Sequence, residues 1–171
     1  MCNPASFVLT QDSVFWSMKT DSHEDIIREF ELSQDGLRGP NILRVELTPP
    51  KMIDYGAPAK KWNYKLDQDI LPEWHDAKAD EARARLSLVE WIDKRVIRKG
   101  AKRECRYGLF FAVANSQVTA VGDSQVTAWD NSQVRQYAGS VAAPRDFAVV
   151  IDRRNGKPVC ITAVVDIERT K

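Results

Sequence analysis

The chain has 171 residues, with 25 Lys and Arg against 24 Asp and Glu and 43% apolar residues, a make-up that fits a single domain. A formal net charge of +1 excludes a globally cationic protein, so any charged partner has to be met by a local patch. No run approaches the roughly 18 apolar residues of a membrane span, and Met1 to Ser6 lacks the basic and apolar regions of a signal peptide, so no membrane partner and a cytoplasmic location are expected.

Charge is nevertheless uneven along the chain. Residues 1–75 sum to −4, residues 76–106 to +4 and residues 107–171 to +1. The first elements in order are a β-hairpin, Ser6 to Thr10 and Ser13 to Met18 about a Gln11-Asp12 turn, rich in β-branched and aromatic residues. Asp21 and Ser22 then supply a helix N-cap, with Glu24 and Asp25 in the favourable first turn, and predict a helix over 22–32 that ends before Gly36, Gly39 and Pro40. Residues 41–48 alternate, with Leu43, Val45 and Leu47 on one side, and form a strand that Pro49 and Pro50 stop. An irregular connection leads to a strand over Trp62 to Leu66, then to a turn-forming segment with a buried-looking Trp74.

From Asp76 to Lys99 the period becomes helical, with Ala79, Ala82, Leu86, Val89, Ile92 or Asp93, and Val96 as the core stripe, Leu88 and Trp91 widening it, and Gly100 closing the helix. Its end is basic: Lys94, Arg95, Arg98, Lys99, Lys102, Arg103 and Arg106 face one acid, Glu104. Such a run solvates a helix end and complements its dipole, or else contacts phosphate or nucleic acid. Strands follow over Tyr107 to Ala114 and Phe147 to Asp152, and Asn155-Gly156 predicts a type I′ hairpin into Lys157 to Ile167.

Between those strands lies an eight-residue repeat: Asn115-Ser-Gln-Val-Thr-Ala-Val-Gly122, Asp123-Ser-Gln-Val-Thr-Ala-Trp-Asp130, Asn131-Ser-Gln-Val-Arg-Gln-Tyr-Ala138, and a decayed fourth copy from Gly139. Ser116, Val118 and Ala120 share a parity with their counterparts, so one side is small and dry. Gln117, Thr119, Gln125, Thr127, Gln133 and Arg135 fall on the other. Stacked rungs of a β-solenoid and the hairpins of a meander both satisfy the pattern, and identical residues at fixed parity favour the solenoid. Either way the array needs neighbouring strands, or another chain, as caps. By the same parity Trp129 and Tyr137 join the polar side as an aromatic ladder, a make-up suited to recognition unless the long helix covers that side.

This motif, [N/D]-S-Q-V-x-A, resembles the short Ser- and Gln/His-rich octet arrays of small bacterial and phage proteins, and its period is similar to that of the ice-nucleation proteins. The ice-nucleation pattern relies on outward Thr or Ser ladders over many coils. Here the outward positions alternate Gln with Thr, Arg135 replaces Thr in the third octet, and the array is short.

The three cysteines, Cys2, Cys105 and Cys160, are widely spaced with no C-x-x-C, and His23 and His75 are the two histidines, which argues against a disulfide framework, a zinc site or any other metal or cofactor. Removal of Met1 would expose Cys2 as an N-terminal nucleophile activated by its own α-amine, with His23 or His75 as the available imidazole. The plainer readings are a tolerated small residue and two helix-entry histidines. Asp67, Asp69, Glu73 and Asp76 lack the glycine and terminal Glu of a calcium loop and suit capping and turns. Walker, Rossmann, G-x-S-x-G and H-E-x-x-H motifs are absent.

The expected architecture is therefore one α+β domain, 1–171, with an α+β part (1–106) whose mixed sheet packs on the long helix and a β-rich part (107–171) holding the octets. Its expected role is that of a non-enzymatic module that binds a protein partner, or itself, through the repeat face. The alternatives are a hydrolase or transferase using Cys2, and nucleic-acid contact through residues 94–106.

Overall fold

The structure is a computed structural model that describes residues 5–36, 39–51 and 54–162, and the chain divides into two compact units, 1–94 and 95–171. In the first, Ser6–Leu9 (β1) is buried on both sides, which is why Phe7, Val8 and Leu9 run on without alternation. It pairs antiparallel with Val14–Phe15 (β2) and with Leu43–Thr48 (β5), and β5 pairs antiparallel with Asn63–Leu66 (β6). The order is β2-β1-β5-β6. The mixed sheet expected beside the long helix is thus an all-antiparallel one, and the parallel pairs belong to the other unit.

His23–Glu29 (α1) begins on Ser22, whose Oγ accepts from the Asp25 N–H, and buries Ile26 and Ile27 against Val8 and Ile42. It stops short of residue 32 because Glu31 turns into the left-handed region at φ 52. The following loop holds a two-residue ladder, Asp35–Gly36 (β3) with Gly39–Pro40 (β4).

Ala77–Arg95 (α2) is capped by Asp76, whose Oδ1 accepts from the N–H groups of Lys78 and Ala79. Its buried face differs from the expected one. Ala79, Ala82, Leu86 and Val89 are exposed, and Asp80, Ala84, Leu88, Trp91, Ile92 and Arg95 are buried. The spacing is helical in both cases, but two charged residues stand on the true inner stripe and disguise it. The buried Trp62 ring meets Trp91 edge-on at 5.8 Å and Tyr55 at 6.1 Å, and its Nε1 donates to the Ala57 carbonyl. Trp74, expected inside, is half-buried.

The helix ends four residues before Lys99 because the chain there becomes strand. Val96–Ile97 (β7) pairs in parallel with Lys102–Ala112 (β8), and β8 with Gln117–Ala128 (β9). Gln133–Gln136 (β10) and Val141–Pro144 (β11) both lie parallel on β9, Val149–Asp152 (β12) lies parallel on β10, and Val159–Thr162 (β13) closes the sheet antiparallel to β12. The strand-rich unit therefore starts near residue 95 rather than at 107. Paired residues stand sixteen apart, as in Gln117 with Gln133 and Gln125 with Val141. These are stacked coils resembling a β-solenoid, not a meander, and the coil is twice the length of the sequence repeat.

The coil interior follows from the small side chains. Ser116, Val118, Ala120, Ser124, Val126, Ala128, Ser132 and Val134 are all buried. The serines turn inward at the corners with their hydroxyls satisfied: Ser116 and Ser132 bond to each other at 3.2 Å, Ser124 donates to the Val121 carbonyl, and Ser140 to those of Ala120 and Tyr137. One set of corners recurs at Ala114, Asp130 and Asp146, all with φ near +50. The opposite set uses glycine, since a Cβ at Gly122 (φ +55) would lie 2.8 Å from the Arg106 carbonyl oxygen, and one at Gly139 (φ +84) 2.9 Å from that of Gly122. At the Asn155-Gly156 turn only Gly156 is left-handed, so the turn is not the expected type I′, which needs two such residues. The expected continuation of the hairpin over 163–167 lies outside the described residues.

The two cysteines within the described residues are in opposite surroundings. Cys105 is buried in β8, and burial pushes its thiol up to about 11; Cys160 is exposed on β13. Iodoacetamide at neutral pH is expected to alkylate Cys160 within minutes and leave Cys105 unmodified until the protein is denatured, which peptide mapping reads directly. Equal labelling of the two in native protein would contradict the packing of β8.

Candidate functional site

The sixteen-residue coil decides which repeat side chains share a surface. Octets one and three stack on one face, and octet two lies on the other. On the first face two outward rows cross the strands: Lys102, Gln117 and Gln133 form one, and Glu104, Thr119 and Arg135 the next. Neighbouring members of a row are about 4.8 Å apart, the spacing of hydrogen-bonded strands. These six side chains, with Arg103 and Val118, line a shallow groove of about 240 Å³.

The groove is electropositive. Lys102 and Arg135 stand against Glu104, whose carboxylate is held by Arg106 at 2.6 Å. Arg103 borders the groove, but by register it shares the inner row with Val118, and its guanidinium lies over the buried Phe110 ring at 5.3 Å. Between the cations, the amides of Gln117 and Gln133 and the hydroxyl of Thr119 offer donors and acceptors. Part of the basic segment and part of the repeat, read from the sequence as separate candidates, thus meet on one surface.

The remaining candidates are dispersed. Gln125 and Thr127 lie on the other face, where their ladder neighbours are apolar: Leu109 and Val141 beside Gln125, Phe111 and Ala143 beside Thr127. Trp129 is 9% exposed and stacks on Phe111 with centroids 5.9 Å apart, whereas Tyr137 is 36% exposed. The expected aromatic ladder does not form, because residues eight apart in a sixteen-residue coil stand on opposite sides. Arg95 is fully buried within α2, so the basic run is not uniformly a solvated helix end; Lys94, Arg98, Lys99 and Arg106 are exposed.

Each histidine is held by a carboxylate. His23, 3% exposed, sets Nε2 at 3.0 Å from the Val45 carbonyl and Nδ1 at 3.1 Å from Asp67, bridging α1, β5 and the segment after β6. His75 sets Nδ1 at 2.8 Å from Asp80 at the entry to α2. Asp76 caps α2 and Asp67 meets His23, so two of the four clustered carboxylates are engaged structurally. No group of three or more His, Cys, Asp and Glu side chains among the described residues is arranged to hold a metal ion. Cys2 lies outside the described residues. Among them, no helix is long and apolar enough to cross a membrane.

No protein-family model, no curated protein sequence and no solved structure matches this chain. The site therefore has to be read from its own chemistry.

The signal that was missed is the coil length. Sequence parity separates inside from outside, but only the pairing step tells which outward residues are neighbours. Lys102 in particular carries no mark of the repeat and enters the row through the one-residue slip between Cys105 and Tyr107.

Proposed function

We propose that the chain is a non-enzymatic binding module whose second unit offers the Lys102/Gln117/Gln133 and Glu104/Thr119/Arg135 rows to an acidic segment of a protein partner. The carrying observation is the convergence of Lys102, Arg135 and two amides on one groove. A flat ladder of amides and hydroxyls suits an extended chain, and the cations select carboxylates. Nucleic acid fits less well, since a single strand wants aromatic platforms and none of the residues lining the groove is aromatic.

The probe is a fluorescein-labelled poly-glutamate peptide read by anisotropy, beside a single-stranded oligonucleotide of equal charge. Exposed ion pairs contribute up to about 1 kcal/mol each, so Lys102→Ala with Arg135→Ala is expected to weaken peptide binding about five- to thirty-fold. The change Gln125→Ala, on the other face, should leave it untouched. Binding that ignores the double substitution, or that prefers the oligonucleotide, would sink this reading.

A further inference from the structure

Among the described residues, no strand pairs beyond β13 at the far end of the stacked coils. β13 is the outermost strand beyond β12, and all four of its residues are exposed. Successive side chains of a strand point to opposite sides, so both of its sides are bare. Register places Ile161 opposite Val150 and Val159 opposite Asp152, on the inward side of the coil. Yet Val159 is 58% and Ile161 37% exposed, whereas Val150 is fully buried. The opposite face ends one coil earlier, at β11, beyond which no strand pairs among the described residues. The same last coil exposes Val141 and Phe147. Among the described residues of this unit, these four are the exposed large aliphatic and phenylalanine side chains.

The two ends of the stack differ in kind. On the face that β13 terminates, the other outermost segment is 102–105 of β8, where Lys102 and Arg103 stand close to exposed Arg98, Lys99 and Arg106. Head-to-tail stacking would press that cationic end onto an apolar one and desolvate charges without partners, which is costly. Tail-to-tail stacking sets apolar against apolar. Asp152, on that side of the end, is paired with Arg154 at 2.7 Å, and the exposed Arg153 and Lys157 lie in the turn between β12 and β13. A two-fold contact of this kind also closes, so it yields a dimer and not a fibre.

We infer that a second copy of this chain covers the β13 end, tail to tail about a two-fold axis, burying Val159 and Ile161 of both copies. The neighbouring edge of β11 is closed to such pairing. The Arg145 N–H bonds the Ala128 carbonyl, so by alternation the Pro144 nitrogen, which carries no hydrogen, faces away from β9. The dimer carries two copies of the polar groove, and a partner with two acidic segments gains from both. The inference does not rest on that groove's role, because the double substitution Lys102→Ala, Arg135→Ala leaves the end surface intact.

Light scattering coupled to size exclusion on the full chain tests it, at concentrations up to about 100 μM, where even a weak specific interface is substantially assembled. The wild type is expected at twice the chain mass. Val159→Lys with Ile161→Lys is expected at the single mass with an unchanged circular dichroism spectrum, and Tyr107→Lys, at an exposed site elsewhere, stays dimeric. A two-fold axis near β13 also sets Cys160 beside its own copy, so a short bis-maleimide joins two chains and Cys160→Ser abolishes the product. A monomeric wild type, a ladder of higher oligomers, or a dimer that survives the double lysine variant overturns the inference.

Discussion

Val134→Asp is expected to unfold the second unit, whereas Gln133→Asp, one residue earlier on the same strand, should change stability by no more than about 0.5 kcal/mol. Val134 is fully buried between Val118 on β9 and Val150 on β12, both buried themselves. A carboxylate at that position is sealed inside a column of valine, and the cation of its ladder, Arg103, stands two strands away beyond Val118. The effective penalty for an uncompensated buried ion is several kcal/mol, comparable to the whole stability of a small domain. Gln133 points outward into the groove, between Gln117 and Val149, where water solvates the new charge and Lys102 stands two strands away. Chemical denaturation followed by tyrosine and tryptophan fluorescence separates the two outcomes. Equal tolerance of both substitutions would mean that the parity of the coil is wrong, and with it the placing of every groove residue.

That pair of substitutions also marks what the sequence could carry. The parity of the octets is written in residue size: Ser, Val and Ala recur on one side because a thin coil interior has room for little else, and Gln and Thr recur on the other. The coil length is not written there. An eight-residue period is compatible with a rung of eight or of sixteen, and the choice depends on which strands hydrogen-bond, a non-local fact. Trp129 shows the consequence, since it was grouped with Tyr137 by period and separated from it by pairing. The start of the solenoid was hidden in another way. Val96 and Ile97 continue a helical pattern well enough that Gly100 looks like the helix terminus, but their partners are Phe111 and Ala112, fifteen residues on. Local cues served better where the governing contact is local, as with Ser22 capping α1 and the β1 to β2 hairpin.

Asp80→Ala is expected to destabilise the first unit by up to about 3 kcal/mol, the low end for breaking a buried pair, because Arg83 keeps part of its surface in water. Asp80 is 2% exposed and meets three partners. One oxygen takes the Asp76 N–H at 3.0 Å and meets His75 Nδ1 at 2.8 Å, and the other meets Arg83 at 3.1 Å. Arg83 in turn donates to the carbonyls of Thr10 and Ser13, in the turn between β1 and β2, seventy or more residues away in sequence. A single carboxylate therefore ties the entry of the long helix to the N-terminal hairpin. Asp80→Asn should keep the shape and lose about half of the effect, because an amide oxygen still accepts from the Asp76 N–H but no longer carries the charge that Arg83 complements. The exposed neighbour Glu81, paired with Arg85 at 2.6 Å, provides the contrast: Glu81→Ala should cost less than about 1 kcal/mol. Urea midpoints of the three variants test the ordering. If Glu81 proves to matter as much as Asp80, the stripe through Asp80, Ala84, Leu88 and Trp91 is not the inner face of α2, and the amphipathic reading through Leu86 and Val89 regains its place.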